Sequence, residues 1–471
     1  MVRVLFVQQI WFETESIMIL SAMLKKHEHE CELIIGSSKK IVSKIKKFKP
    51  NFIAISGMHV EKEWIKKVTR EIKRFSNNPI IVGGSIVLSA PEIIKNRFID
   101  ALVFGESEYS VVEIADRIHN KKSFSDIPGI ITCKNNLIIR NKEINTIHNL
   151  DELPFPDRDI YKEYYNILEK GRSTLFKTSR GCAYKCSFCF YNTLKNQSEY
   201  PVMTRKRSVK NIIEEIKSIN KKNPIKRIHF FDSIFITNKK WLMKFLKIYK
   251  KEINIPFTCN AHYNFIDEEI IRELKKSHCH TLQIGIESGD DYFRNKILKK
   301  NISNNQIIKI ARLLHKYKLK FISLNMMVFP GETFEQAMKT VRINQKIKPD
   351  YVSVDMLLHY PNLEVTNYAL KNGYLKKEKL ELLSKNNYKM SRSILDQKNL
   401  REISNLQKFA ILLILYPSIK PIIMQLIKLP ENKIFDYIFA VTTYLQFRSF
   451  MKFSIQKIFG DAIRNYKTFL D

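Results

Sequence analysis

Three cysteines, Cys182, Cys186 and Cys189, stand close together in the run Arg180-Gly181-Cys182-Ala183-Tyr184-Lys185-Cys186-Ser187-Phe188-Cys189. The spacing is Cys-x3-Cys-x2-Cys, and a loop this short can wrap three thiolates around one corner of a cubane cluster. It cannot surround one tetrahedral metal symmetrically, and a structural zinc site takes four protein ligands. The next Cys or His candidates, His229 and Cys259, fall on later predicted strands. Three thiolates leave one iron of a [4Fe–4S] cluster open to a small molecule, whereas a ferredoxin-type carrier supplies four cysteines. The other cysteines, Cys31, Cys133, Cys259 and Cys279, are scattered, so the seven form no disulfide framework. Clustered thiols free to hold metal point to a reducing cytosol and a cytoplasmic protein.

The elements around the cluster follow from periodicity. Over residues 1–120 short apolar runs rich in β-branched residues (Val2–Val7, Cys31–Ile35, Phe52–Ser56, Pro79–Val82, Ala101–Phe104) alternate with helical patterns (Glu15–Lys26, Glu61–Phe75, Ser110–Arg117). That alternation predicts an α/β fold, a doubly wound parallel sheet that binds ligands at its strand C-terminal edge. Residues 121–172 carry turn signals (Pro128-Gly129, Pro154, Pro156) and a hairpin signal at Lys134-Asn135-Asn136, which reads as a linker. From 173 to about 375 the alternation restarts, with six strands expected at Thr174–Thr178, Arg227–Phe231, Pro256–Cys259, Thr281–Gly285, Phe321–Val328 and Tyr351–Leu357. Val209, Ile212, Ile213 and Ile216 mark a helical stripe after Ser208. Six βα units make a partial (βα)6 barrel, whose site lies in the loops after its strands. Residues 376–471 read as an all-helical C-terminal region.

The three cysteines, with Phe188 before the last and a first barrel strand ahead of them, resemble the radical S-adenosylmethionine superfamily. The resemblance implies a [4Fe–4S] cluster held by Cys182, Cys186 and Cys189. Its open iron chelates S-adenosylmethionine, and one electron cleaves the sulfonium to a 5′-deoxyadenosyl radical. It further implies that Phe188 packs near the adenine. Phe231-Asp232-Ser233-Ile234-Phe235 looks like the family's Asp-Asp-x-Phe segment, Gly285-Ile286-Glu287-Ser288 like its Gly-Ile-Glu-Ser motif, and Asn325 to Glu332 like its adenine-side segment. By this resemblance Phe188, Asp232, Glu287, Asn325, Val328 and Pro330 face S-adenosylmethionine. Leu358-His359-Tyr360-Pro361-Asn362 resembles a Tyr-Pro-Gly-Thr segment facing substrate, which nominates His359 and Tyr360. A lone His262 after the third barrel strand reads as structural. Arg205-Lys206-Arg207-Ser208 resembles the family's Tyr-Arg-x-Arg-Ser, and otherwise reads as a solvated basic turn with Ser208 as helix cap.

Members with a doubly wound domain ahead of the barrel resemble cobalamin-binding radical enzymes. On that resemblance Ser56 and Gly57 after the third strand, and Gly83, Gly84 and Ser85 after the fourth, lie against cobalamin. The family's cobalt-ligating His is missing, for Trp11 stands at its place. An indole offers only an N–H donor, so the resemblance implies cobalamin without a protein His ligand, with Trp11 as a wall under the corrin. Gly105-Glu106-Ser107-Glu108 is similar to a Gly-Glu-x-Glu turn of the family, and Glu108 also reads as an acid set beside a helix dipole.

Composition bounds the partners. The 80 Lys+Arg against 47 Asp+Glu give +33, a balance that favours phosphates, nucleic acid or an anionic membrane surface. No discrete basic tail stands out, so nucleic acid is not the favoured partner. The charge-free runs Phe409–Ile419 and Tyr437–Phe447 are too short to span a bilayer. The stripes Phe409–Ile427 and Phe435–Phe453 are broken by Lys420, Lys428, Arg448 and Lys452. Such helices lie on a membrane or cover the barrel.

These readings lead to an anaerobic radical S-adenosylmethionine enzyme that methylates an unactivated carbon with cobalamin. Its substrate is a small molecule, lipid or peptide, and its electrons come from a flavodoxin or ferredoxin. A competing reading is a radical cyclase or oxidase of the anaerobic tetrapyrrole-cyclase type, without methyl transfer. Another is a basic protein of nucleic-acid or membrane surfaces with a vestigial cluster. A methylthiolating tRNA enzyme fits less well, because Cys31 and Cys133 are too few for that family's second cluster.

Overall fold

The computed structural model describes residues 1–141, 146–165, 173–197, 204–384 and 392–451. The chain opens with β1 (Arg3–Gln8), α1 (Glu15–Lys26), β2 (Glu30–Ile35), α2 (Ser38–Phe48), β3 (Phe52–Ser56), α3 (Lys62–Lys73), β4 (Ile80–Gly83), α4 (Ile86–Ser89), β5 (Ala101–Val103) and α5 (Glu108–His119). The pleat of β1 explains the layering. Val4 and Phe6 point to one side, where they pack with Ile17, Met18, Val111 and Ile114 of α1 and α5. Leu5 and Val7 point to the other, against Ile41, Ile45, Ile65 and Val68 of α2 and α3. A strand buried on both faces needs a near-continuous apolar run, which is what residues 2–7 provide.

β6 (Ile130–Lys134) and β7 (Leu137–Arg140) form the hairpin expected at Lys134–Asn136, but they do not cross between domains. β6 pairs antiparallel with β5, giving a seven-stranded sheet in the order β2-β1-β3-β4-β5-β6-β7. The first sheet therefore extends about twenty residues past position 120, because β5 would otherwise leave an unpaired edge.

The second unit contains β8 (Thr174–Phe176), β9 (Ser179–Arg180), α6 (Phe190–Gln197), β10 (Arg205–Lys206), α7 (Val209–Lys222), β11 (Ile228–Phe230), α8 (Lys239–Glu252), β12 (Phe257–Ala261), α9 (Glu268–Lys276), β13 (Cys279–Glu287), α10 (Asn304–Lys316), β14 (Lys320–Met327), α11 (Phe334–Ile347) and β15 (Tyr351–Met356). Six strands form an all-parallel sheet in the order β15-β14-β13-β12-β11-β8. Their C-terminal ends carry the Cys loop, Asp232, His262, Glu287, Val328 and His359 in turn.

After α12 (Glu364–Lys371) come α13 (Leu400–Leu415), α14 (Lys420–Leu426) and α15 (Lys433–Met451). α13 is buried almost all round, and Phe409 and Leu413 join Val352, Val354 and Val341 in one apolar cluster. Gln407 Nε2 donates to Val354 O at 2.6 Å, and Val352 N donates to Gln446 Oε1 of α15 at 3.0 Å. The C-terminal helices thus close the free edge of β15, the edge that a partial barrel leaves open. Positions 452 and 453 of the expected second stripe lie outside the described residues. Among the described residues no helix is long and apolar enough to cross a membrane.

Candidate functional site

The Cys loop leaves the barrel through a braced approach. The antiparallel pair β9–β10 sets its start, and Gly181 turns the chain with φ of 86°. Asp232, fully buried at the end of β11, accepts through Oδ1 from Thr178 N and Thr178 Oγ1 at 3.0 Å each, and from Ser179 Oγ. The loop is tied down at three further points. Ser187 N donates to Leu298 O at 3.2 Å, and Ser187 Oγ to Ile297 O at 2.7 Å. Lys195 of α6 donates to Cys182 O and, at 3.0 Å, to Tyr184 O. Cys189 N closes a turn on Cys186 O at 3.1 Å.

All three thiols are half-buried and free. Burial pushes the Cys186 thiol up to about 12 and raises Cys189 as well, so a metal rather than solvent must displace their protons. Among the described residues no three His, Cys, Asp or Glu side chains are gathered tightly enough to share one metal ion. A thiol-only donor set spread along a short loop suits a cluster that takes each sulfur at a different iron.

Glu287 ends β13 with φ of 67°, and its Oε1 lies 2.7 Å from Lys300 Nζ. Burial works against the Lys300 ammonium, but Glu287 and the thiols of Cys186 and Cys182 outweigh it and hold its pKa above the usual lysine range. Gly285 makes the pair possible, since a Cβ there would sit 2.1 Å from Glu287 Oε1 and 2.8 Å from Lys300 Nζ. Val328, a β-branched residue with φ of 68°, is held by its N–H on Glu332 Oε2 at 2.7 Å. Positive φ at such a residue is strain that the surroundings must impose. Pro330 follows in the same turn, and Phe329 N shares the Glu332 carboxylate at 3.1 Å. Burial raises Glu332 to about 8. Phe188 packs with the buried cluster of Phe293, Phe329 and Leu357.

Two expected ligand contacts are otherwise employed. Asn325 is 1% exposed, and its Nδ2 donates to Ser323 O, Ser323 Oγ and Ser353 O while its Oδ1 accepts from Asn344. Its amide joins β14, β15 and α11, with both N–H groups engaged and Oδ1 accepting once. Asp232 likewise serves the loop through Oδ1, and only Oδ2 lacks a partner among the described residues. His262 is stacked on Tyr184 of the Cys loop, ring centroids 3.9 Å apart, and burial lowers it to about 3.

The N-terminal sheet brings its expected residues to one edge. β1, β3 and β4 are adjacent, so Trp11, Ser56-Gly57 and Gly83-Gly84-Ser85 all lie at or just past strand C-termini. Trp11 rests edge-on against Tyr164 at 5.7 Å. The loop it stands on is pinned by Gln8, which donates to Ile10 O and Phe12 O and accepts from Tyr161 at 2.7 Å. Gly84 has φ of 96°, and a Cβ on it would lie 2.4 Å from Gly57 O, so this position takes glycine, whereas a Cβ on Gly57 would meet the Ile65 side chain of α3 at 2.4 Å. A Cβ on Gly83 would meet nothing within 4 Å; this glycine faces open space.

The two edges meet. A cavity of about 230 Å³ is lined by Gly84, Ser85 and Phe104 from one unit and by Phe190, Tyr191 and Leu194, just past Cys189, from the other. Its size admits part of a corrinoid. Tyr360 spans the junction, with its ring 5.5 Å from Phe190 and 5.7 Å from His59. His359 is 1% exposed and lowered to about 4 by burial. Asn362 Nδ2 donates to Leu88 O at 2.9 Å.

A buried ion-pair clasp fixes this meeting. Glu106 receives Arg205 through both oxygens, at 2.6 and 2.9 Å, and Arg180 at 3.6 Å, while Glu108 pairs with Arg180. Burial works against the Arg180 cation, but Glu108 and Glu15 outweigh it and raise its pKa. Burial likewise opposes ionisation of Glu106, yet Arg205 and Arg180 hold its carboxyl below the usual carboxylate range. Glu108 is thus a partner of the residue two places before Cys182, not merely an acid beside a helix dipole. The 205–208 segment is no solvated turn: Lys206 Nζ lies 4.1 Å from the Trp241 ring and donates to Phe235 O at 2.9 Å. Ser208 does cap α7, accepting from Asn211 N at 3.2 Å. Sequence reasoning missed His59, Lys195 and Lys300, and only the place of His59 just past a β3 glycine carried a signal.

Residues 176–343 match the family model of the radical SAM superfamily, and residues 12–115 that of the B12 binding domain. The chain is a radical SAM protein with a B12-binding domain. As such, this radical SAM protein takes a [4Fe–4S] cluster, S-adenosylmethionine and cobalamin. It is 27% identical over 363 residues to an uncharacterised methyltransferase of Pyrococcus horikoshii, spanning 75% of this chain and 78% of that one. Its fold is similar to that of the radical S-adenosylmethionine methyltransferase TsrM from Kitasatospora setae, with TM-score 0.66 and 16% identity over 77% of this chain and 75% of that one. It is also similar to the cobalamin-dependent S-adenosylmethionine radical enzyme OxsB, with TM-score 0.71 and 17% identity over 95% of this chain and 71% of that one. At these identities the two solved structures speak for the fold alone.

Proposed function

We propose that this radical SAM protein transfers a methyl group to an unactivated carbon of a small-molecule substrate, in the cytoplasm, with electrons from a flavodoxin or ferredoxin. One observation carries the reading: α6, the helix that directly follows the Cys loop, and the glycine edge of the B12-binding domain line a common cavity, and the Tyr360 ring packs on Phe190 of α6 and on His59 of the B12-binding domain. Groups bound at those two edges would reach the same substrate. The methyltransferase names of the relative from Pyrococcus horikoshii and of TsrM agree with it.

Each residue has a part in this proposal. Cys182, Cys186 and Cys189 hold the cluster. Phe188, Glu287, Val328 and Pro330 border S-adenosylmethionine, and Asp232, fully buried, holds the start of the Cys loop beside them. Trp11, Ser56, Gly57, Gly83, Gly84 and Ser85 border the corrinoid, and His359 and Tyr360 border substrate. When bound, the cluster and S-adenosylmethionine supply a 5′-deoxyadenosyl radical, and cobalamin supplies the methyl group. The chain supplies placement and a dry interface. Burial keeps the His359 imidazole neutral near pH 7.

Anaerobic reconstitution with iron, sulfide and cobalamin tests the proposal. A corrinoid spectrum retained through gel filtration and 5′-deoxyadenosine formation abolished by Cys186→Ala are expected. Loss of the corrinoid on the column would overturn the cobalamin assignment. A product that gains no methyl mass would move the reaction to radical cyclisation or oxidation.

A further inference from the structure

The C-terminal helices present an apolar face that the described residues leave uncovered. On α15, Ile434, Tyr437, Val441 and Leu445 recur at helical spacing and are 68%, 69%, 55% and 50% exposed. The opposite side of the helix faces inward, where Phe435 meets Phe409 at 4.8 Å and Gln446 bonds to β15. Tyr416, Ile422 and Leu429, from the segments flanking and forming α14, add 58%, 63% and 47% exposure. Scattered exposed apolar residues are ordinary, but a run of large ones on consecutive elements marks an interaction surface.

The charges of the same stretch are sorted. Lys420, Lys428 and Lys433 are exposed. Its two acids, Glu431 and Asp436, are turned inward: Arg392 pairs with both, and Lys408, with a fully buried side chain, lies 3.5 Å from Glu431 and 3.0 Å from Asp436. Glu335, whose carboxylate feels Lys420, is held by Arg342. The exposed residues of 415–446 are therefore apolar, tyrosine or lysine, with Ser418 and Gln425 added and no acid among them, in a chain whose net charge is +33. Apolar side chains reach the acyl boundary, tyrosine suits the headgroup level, and lysine meets anionic phosphate; together they fit a bilayer surface.

We propose that this face docks the protein on an anionic phospholipid surface, as a peripheral contact independent of the cofactors. The test is flotation of the full-length protein with vesicles of phosphatidylcholine alone and of equal parts phosphatidylcholine and phosphatidylglycerol. Binding is expected to the anionic vesicles and to weaken with added salt. Tyr437→Glu/Val441→Glu and Lys428→Glu/Lys433→Glu are each expected to lower it about tenfold or more. All four positions are exposed, and unchanged melting temperatures confirm that the variants fold. Equal binding to both vesicle types, no binding to either, or unchanged binding by the variants overturns the proposal. So does a wild-type dimer that Tyr437→Glu/Val441→Glu splits, which would assign the face to a second copy of the chain.

Discussion

Lys300 Nζ lies 2.7 Å from Glu287 Oε1, in a pocket that Gly285 keeps open and that the Cys182 and Cys186 thiols overlook. Removing one member of a buried pair leaves the other charge without compensation. Lys300→Met should therefore cost about 3–5 kcal/mol in urea unfolding. Gly285→Ala should cost less, because the atoms in the way of its Cβ are the movable tips of the Glu287 and Lys300 side chains. A Lys300→Met protein as stable as wild type would show that the pair is not retained in solution.

The Glu108–Arg180 contact makes a second expectation. Glu108→Gln and Arg180→Gln should each destabilise by about 3–5 kcal/mol, and the double variant by clearly less than their sum. A double-mutant cycle in urea measures the coupling. Strict additivity would mean that the two side chains do not meet in solution.

The two adjacent glycines at the end of β4 should separate folding from ligand binding. Gly84→Ala must adopt a left-handed φ and push a Cβ against Gly57 O, so it should lower stability by more than about 1 kcal/mol. Gly83→Ala enters open space and should leave the melting temperature unchanged. If the corrinoid lies over this edge, Gly83→Ala should still reduce cobalamin retention on gel filtration.

Glu332 sets a pH dependence. Burial raises its folded pKa to about 8 from an unfolded value of 4.5. A carboxyl raised on folding contributes stability below 4.5, and that contribution is lost as pH rises toward 8. Glu332→Gln stays neutral, so its stability relative to wild type should rise between pH 5 and 7.5, by up to about 3 kcal/mol. The difference between the two proteins is the quantity to follow. In wild type alone His59 and His359, both lowered to about 4 by burial, work in the opposite direction, favouring the fold as pH rises from 4 to 6.5.

Local pattern carried the strand and helix order, because each βα unit writes its own apolar period. It failed where the decisive partner is remote. The hairpin at 130–140 has ordinary turn chemistry, and only the unpaired edge of β5 draws it into the first sheet. Asp232 and Asn325 sit at the strand positions expected of ligand-binding residues. What they touch was set by Thr178, Ser179 and Asn344 on other elements, which no spacing rule reveals. Arg205 read as a solvated cation because its partner Glu106 lies in the other unit. The Cys loop was legible because chemistry, not packing, dictates its spacing, whereas Lys195 and Lys300 carry no such constraint.

Glu106, Glu108, Arg180 and Arg205 also bear on how far such proteins can be recombined. Each unit presents half of a charge-matched lock, so a chimera that takes its front half from one relative and its back half from another would bury orphaned carboxylates or guanidiniums at the seam. Grafting a foreign corrinoid module onto this scaffold would require that the module bring both glutamates, or that both arginines be neutralised at the same time.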